Sequence, residues 1–146
     1  MVVVRYERMK KVVIGRDEMI SFPELGVGLV DGRVDTGART SAMHAANIEI
    51  FEKGAERWVR FDFEEYSGLE ARLWKQKYVR SSNGKKQSRY FIKSHVKFVN
   101  GKKYPITLSL TDRSKMKFPV LLGRRLLAGR FLVDVGKMFM LGKEDE

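Results

Sequence analysis

The sequence predicts a mainly β protein built as one domain over residues 1–146. Three observations carry that expectation. The chain has 146 residues, 43% of them hydrophobic, which suits a single globular core. Its apolar residues fall in short alternating or β-branched stretches, with almost no sustained helical period. Glycine-containing turn pairs separate those stretches, Asn-Gly at 83–84 and 100–101 most clearly.

Taken in order, the stretches that read as strands are 2–6, 11–14, 27–35, 46–51, 57–63, 71–80, 88–99, 104–110 and 131–135, with a last one near 138–141. Turns are expected at Asp31-Gly32, at Lys53-Gly54 and at the two Asn-Gly pairs. The Asn-Gly pairs are expected to be hairpin tips, because a type I′ turn needs two residues that tolerate positive φ and both pairs stand between β-rich arms. One short helix is expected in GRRLLAG, 123–129, closed by Gly129. The segment EEYSGLEARLWKQK, 64–77, also admits a helix by its charge spacing, although its second half reads as strand.

Composition removes several function classes. There is no run of 18 apolar residues, and the N-terminus MVVVRYERMKK is too short and too charged for a signal peptide's apolar centre, so no membrane partner and a cytoplasmic location are expected. Cysteine is absent, and His44 and His95 stand 51 residues apart without an H-E-x-x-H arrangement, so neither a metal site nor a cofactor is expected. The net charge of +11 is unevenly placed. Residues 1–73 hold 11 Lys and Arg against 13 Asp and Glu, whereas residues 74–146 hold 18 against 5. Residues 75–103 carry ten basic side chains and no acidic one, a field that draws anionic partners when it is not simply a solvated face.

Two stretches carry the chemistry. GRVDTGARTSAMHA, 32–45, places Asp35 in a basic chain and follows it with Thr36, Gly37 and Ala38. Alone, this fits a structural strand-to-turn segment as well as a catalytic loop. FPVLLGRRLL, 118–127, is an apolar run into Gly-Arg and a short helix. The order of Asp-Thr-Gly-Ala, then a glycine-tipped hairpin, then apolar-apolar-Gly-Arg resembles the retropepsins, the dimeric aspartic peptidases of retroviral type. The resemblance covers roughly residues 19–141. With YVRSSNG at 78–84 and LTDRSKMKFPVLLGRRLL at 110–127, the chain resembles in particular the bacterial and archaeal family labelled ATP-dependent zinc proteases, which is associated with ribosomal-protein glutamate ligases.

The resemblance implies a closed β-barrel of the acid-protease fold with one short C-terminal helix. It also implies a homodimer: two carboxylates must share a proton and hold a water, one chain of this size supplies one Asp-Thr-Gly, and the second Asp35 must come from another copy across a twofold axis. Thr36 would then hydrogen-bond across that axis, Gly37 would let the backbone turn under the site, Gly123 would pack beneath the loop, and Arg124 would tie the helix to it. The hairpin around Ser81, Ser82, Asn83 and Gly84 would be a flap that closes over substrate. Substrate contacts are expected from Ala38, Arg39, the four flap residues, Lys85, Lys86 and Arg89. Arg39 departs from the retropepsin pattern, which has an acidic residue there to pair with the arginine of the late Gly-Arg, so Arg124 is expected to use Asp112 or Asp134 instead. No G-x-x-x-x-G-K-[ST] cradle is present, and neither zinc nor ATP dependence is expected.

The expected function is therefore that of a homodimeric aspartic endopeptidase acting on acidic or glutamate-rich peptides. Two other classes remain open: a non-catalytic module with the same fold that binds acidic peptides, and a basic β-barrel that binds nucleic acid through the charges interleaved with Tyr78, Tyr90, Phe91 and Phe98. The last ranks lowest, since no RNA-module pattern is present. A triad of Asp35, Ser41 and His44 is discounted because no G-x-S-x-G elbow exists. His95 is expected to be a cross-strand partner, and Trp58 and Trp74 to fill core or dimer surface.

Overall fold

In YFIKSHVKF, 90–98, every second residue from Ile92 to Phe98 is buried, while Lys93 and His95 face water. That period of two is what a strand with one face on a core requires. The computed structural model, which describes residues 10–80, 83–112 and 117–144, builds most of the chain this way. Its strands are β1 (Val12–Gly15), β2 (Asp17–Phe22), β3 (Val27–Val34), β4 (Ser41–His44), β5 (Ala46–Lys53) and β6 (Glu56–Phe63). They continue with β7 (Tyr66–Arg80), β8 (Lys86–Phe98), β9 (Lys103–Thr111), β10 (Val120–Leu122) and β11 (Phe131–Asp134), with one helix, α1 (Arg124–Leu127).

Six strands close into a barrel in the order β2, β3, β10, β4, β9, β8, and β8 returns to β2 through Ile20 with Phe98 and Ser21 with Lys97. Closure leaves these six strands without a free edge. From β8 the sheet runs outward through β7, β6 and β5. The core holds the fully buried side chains of Ile20, Phe22, Met43, Ile92, Leu108 and Leu122 from the barrel, and of Phe61 and Phe63 from β6. Each such side chain contributes about 1.5–3 kcal/mol relative to exposure. Separately, β1 pairs in parallel with β11, Val12 opposite Phe131 through Gly15 opposite Asp134.

Two features of this topology make the site. Strand β10 lies between β3, to which it is parallel, and β4, to which it is antiparallel. The connection from β3 to β4, residues 35–40, must therefore pass over the end of β10. The second feature is the long β7–β8 hairpin, which pairs from Leu73 with Ile92 out to Arg80 with Lys86.

Several expectations change. The segment 64–77 is strand, as part of β7. Asp31-Gly32 is not a turn but lies inside β3, where a Cβ on Gly32 would stand 2.8 Å from the Ile20 Cδ1. This glycine serves close packing, not a bend. At 100–101 only Gly101 has positive φ, 88°, so the hairpin is not type I′. The Gly101 N–H bonds the Phe98 carbonyl at 2.9 Å, and the Asn100 side chain accepts from the Lys102 N–H at 3.1 Å. A local side-chain bond thus competes successfully with the tighter turn. Residues 138–141 form no strand: their backbone bonds a buried carboxylate, Glu18, whose oxygens accept from the N–H groups of Met140 (2.9 Å) and Leu141 (3.1 Å). Strands β2, β4 and β10 were not expected, and the stretch 2–6 lies outside the described residues. Neither tryptophan fills the core: Trp58 is half-buried under the Lys53 ammonium, and Trp74 is exposed with Lys93 over its ring at 4.3 Å. His95 stands opposite Pro105 of β9, as expected of a cross-strand residue, and its ring also meets Glu24, which lies on the short turn after β2.

Candidate active site

Asp35 leaves the end of β3 with its N–H bonded to the Leu122 carbonyl of β10, at 2.9 Å. The chain then doubles back: the Ala38 N–H reaches the Asp35 carbonyl at 3.2 Å, and the Gly37 N–H donates to Asp35 Oδ1 at 3.0 Å. A carboxylate oxygen is thus aimed and held by backbone, with the half-buried side chain still open to water.

The loop is fastened from below by the residues that follow β10. The Gly123 N–H donates to the buried Ser41 Oγ (3.0 Å), the Arg124 N–H to the Ala38 carbonyl (2.8 Å) and the Arg125 N–H to the Arg39 carbonyl (3.0 Å). The Arg124 guanidinium reaches the Thr36 carbonyl, Nη1 at 3.0 Å. That carbonyl takes the place of the expected Asp112 or Asp134. The helix starts directly under Ala38, so Arg124 meets loop backbone, while Asp134 caps the Gly136 N–H and Asp112 lines a separate concavity with Arg89.

At Gly123 no side chain fits. A Cβ would lie 2.8 Å from the Thr40 carbonyl carbon and 2.9 Å from the Ala38 oxygen, both backbone atoms. Gly123→Ala is therefore expected to lift the 35–40 loop, lowering stability by about 1–3 kcal/mol. Denaturant unfolding checks this, and a variant with an unchanged midpoint would contradict it.

The hairpin brings a different set of charges to this loop from those at its tip. Trp74 is an extra residue in β7, since Leu73 pairs with Ile92 and Lys75 with Phe91. Beyond this bulge Lys75 and Lys77 share a face with Phe91 and Arg89, and that face meets Arg39 and Arg125 in one concavity. Lys86 belongs to the other face, its ammonium 5.6 Å from the Tyr78 ring centre. The Lys85 N–H bonds the Asn83 side chain at 3.3 Å beside Gly84, while Ser81 and Ser82 lie outside the described residues. Lys75, Lys77 and Arg125 escaped sequence reasoning as site residues. The signal was a strand whose alternation breaks at Trp74. Among the described residues no three His, Cys, Asp or Glu side chains converge as a metal site, and no helix is long and apolar enough to cross a membrane.

A closed six-stranded barrel that straps an Asp-Thr-Gly-Ala loop over a Gly-Arg turn defines a retropepsin-like domain. More particularly, residues 13–144 match the RimB-like family, described as "Retropepsin-like aspartic endopeptidase RimB", and the chain belongs to that family. Similar curated proteins include a probable alpha-L-glutamate ligase of Shewanella pealeana, 36% identical over 143 residues, and one of Desulfotalea psychrophila, 34% identical over 140. These alignments take 93% and 91% of this chain but only 31% and 30% of those proteins, so the chain spans less than a third of their length. A solved Legionella pneumophila protein of unknown function shares the fold, with a TM-score of 0.72 at 23% identity over 88% of this chain and 97% of that one.

Proposed function

We propose that the protein is an aspartic endopeptidase that acts in the cytoplasm as a homodimer, with Asp35 of each copy forming the catalytic pair, on acidic or glutamate-rich peptides. The observation that carries this reading is the setting of the Asp35 loop: a carboxylate held by the Gly37 N–H, beside an apolar surface that starts at Thr36 and continues through Leu127, Phe131 and Leu132. Leu132, Val13 and Val135 of the β1–β11 ribbon and its continuation are exposed at 39%, 43% and 73%. A second copy is the occupant that both covers this surface and completes the site. Isologous contact would set Thr36 against Thr36 and Asp35 against Asp35.

In that dimer one carboxylate, ionised, takes a proton from the bound water as its oxygen attacks the peptide carbonyl. The other, protonated, gives its proton to the carbonyl oxygen. Collapse of the tetrahedral intermediate breaks the C–N bond: the leaving amine takes the proton that the first carboxylate removed from water, and the diol hydroxyl returns a proton to the second carboxylate. Two carboxylates about 3 Å apart titrate as a pair, so a bell-shaped rate profile on the acid side of neutrality is expected. The acidic substrate is supported by the basic second half of the chain and by the glutamate-ligase names of longer relatives.

Dilution tests the assembly. Activity per chain against a glutamate-rich peptide is expected to fall as sedimentation shows dimer giving way to monomer, and Leu132→Glu should move both transitions together to higher concentration. EDTA should leave the rate unchanged. A monomer with full activity per chain would remove the paired-carboxylate mechanism.

A further inference from the structure

The concavity of about 110 Å³ beside the Asp35 loop is assembled from four separate segments, and all its charged residues have one sign. Arg39 comes from the loop, Lys75 and Lys77 from β7, and Arg125 from the start of α1, with Trp74 and Phe91 completing the wall. We propose that these four cations form a carboxylate-binding subsite, which holds the side chain of an acidic substrate residue close to the scissile bond. The word substrate rests on the peptidase reading above; the binding of a carboxylate does not.

Three observations converge on this site. Some arginines elsewhere have carboxylate partners, as Arg33 with Asp17 at 3.1 Å, Arg60 with Glu70 at 2.7 Å and Arg72 with Glu56 at 2.7 Å. Among the described residues none of Arg39, Lys75, Lys77 and Arg125 is in such a pair. The Lys77 ammonium is held below its ordinary range first by the charge of Lys75 and by a hydrogen bond to it, with smaller effects from slight burial, Arg125 and Arg39. Four like charges thus repel in the empty site, and an anion between them relieves that repulsion. The third observation is the bulge. In a regular strand Trp74 would pair with Phe91 and Lys75 with Tyr90, which would turn Lys75 and Lys77 to the opposite face; the bulge instead pairs Lys75 with Phe91 and aims both lysines at the loop.

The arrangement moves substrate selection from the hairpin tip to its base. Lys86, stacked against Tyr78, faces away from this cavity, whereas Lys75 and Lys77 border the Arg39 that directly continues the Asp35 loop. Aromatic walls suit the role, because they leave the methylenes of a glutamate side chain against apolar surface.

The test measures binding without turnover. In Asp35→Asn protein with Trp58→Phe, Trp74 is the remaining indole, and its fluorescence is titrated with N-acetyl-triglutamate amide and with N-acetyl-triglutamine amide at low and high salt. The glutamate peptide should bind about five- to thirty-fold more tightly at low salt, with the preference shrinking as salt rises. Adding Lys77→Met and Arg125→Met should remove most of the preference, while Lys86→Met should leave it. Equal affinity for the two peptides, a preference that survives the double change, or one lost equally with Lys86→Met would overturn the subsite. If the preference behaves as expected but active-loop wild type cleaves neither peptide, the subsite stands and the peptidase reading fails.

Discussion

Asp35→Asn is expected to abolish peptide cleavage, by at least about 10²–10⁴-fold, while leaving the fold in place. The asparagine Oδ1 can still accept from the Gly37 N–H, and the strap from Gly123, Arg124 and Arg125 touches loop backbone and Ser41 but not the Asp35 side chain. Only the ability to ionise and carry a proton is lost. Rates measured beside thermal unfolding and sedimentation distinguish the outcomes. Cleavage at the wild-type rate in folded Asp35→Asn would mean that another group does the chemistry, whereas wild type that binds acidic peptides without cleaving them would favour the non-catalytic module.

Glu18→Ala is expected to produce the largest loss of stability, about 3–5 kcal/mol. Glu18 is fully buried, and its two oxygens accept from three backbone N–H groups: Gly15 at 2.7 Å, Met140 at 2.9 Å and Leu141 at 3.1 Å. Removing the carboxylate leaves those three donors without an acceptor, at about 1–3 kcal/mol for each that stays dry. It also releases the C-terminal segment from the corner between β1 and β2. The denaturant midpoint should fall, and residues 138–144 should become accessible to proteases. Glu18→Gln keeps the shape and one good acceptor, so a smaller loss is expected. An unchanged midpoint in Glu18→Ala would show that water replaces the carboxylate without cost.

Much of the fold was legible because its signals are local. Alternation in β8, the glycine after Asn100, and Gly129 closing a four-residue helix at φ 79° act within a few residues of chain. The missed elements are those whose stability comes from elsewhere. Strand β2 opens with Asp17 and Glu18, which do not read as buried strand residues until Arg33 and the backbone of 140–141 are seen around them. Strand β10 is three residues long and exists because β3 and β4 stand on either side of it. The segment 138–141 looks like a strand by composition, but its N–H groups found a carboxylate before they could find a ladder.

The site divides the same way. By itself the sequence determined that the chain is mainly β and that Asp35 is followed by Thr-Gly-Ala, because residue type and order along the chain are enough for those statements; that Gly123 and Arg124 belong with Asp35 was implied by the resemblance to the retropepsins. Only the tertiary structure decided what each group meets. Whether Arg124 finds a carboxylate or the Thr36 carbonyl depends on where α1 begins relative to a loop some ninety residues away. Which basic residues face that loop depends on one extra residue at Trp74, since a slip of one in a period of two exchanges the faces of everything beyond it. Composition counts charges, but pairing and register direct them.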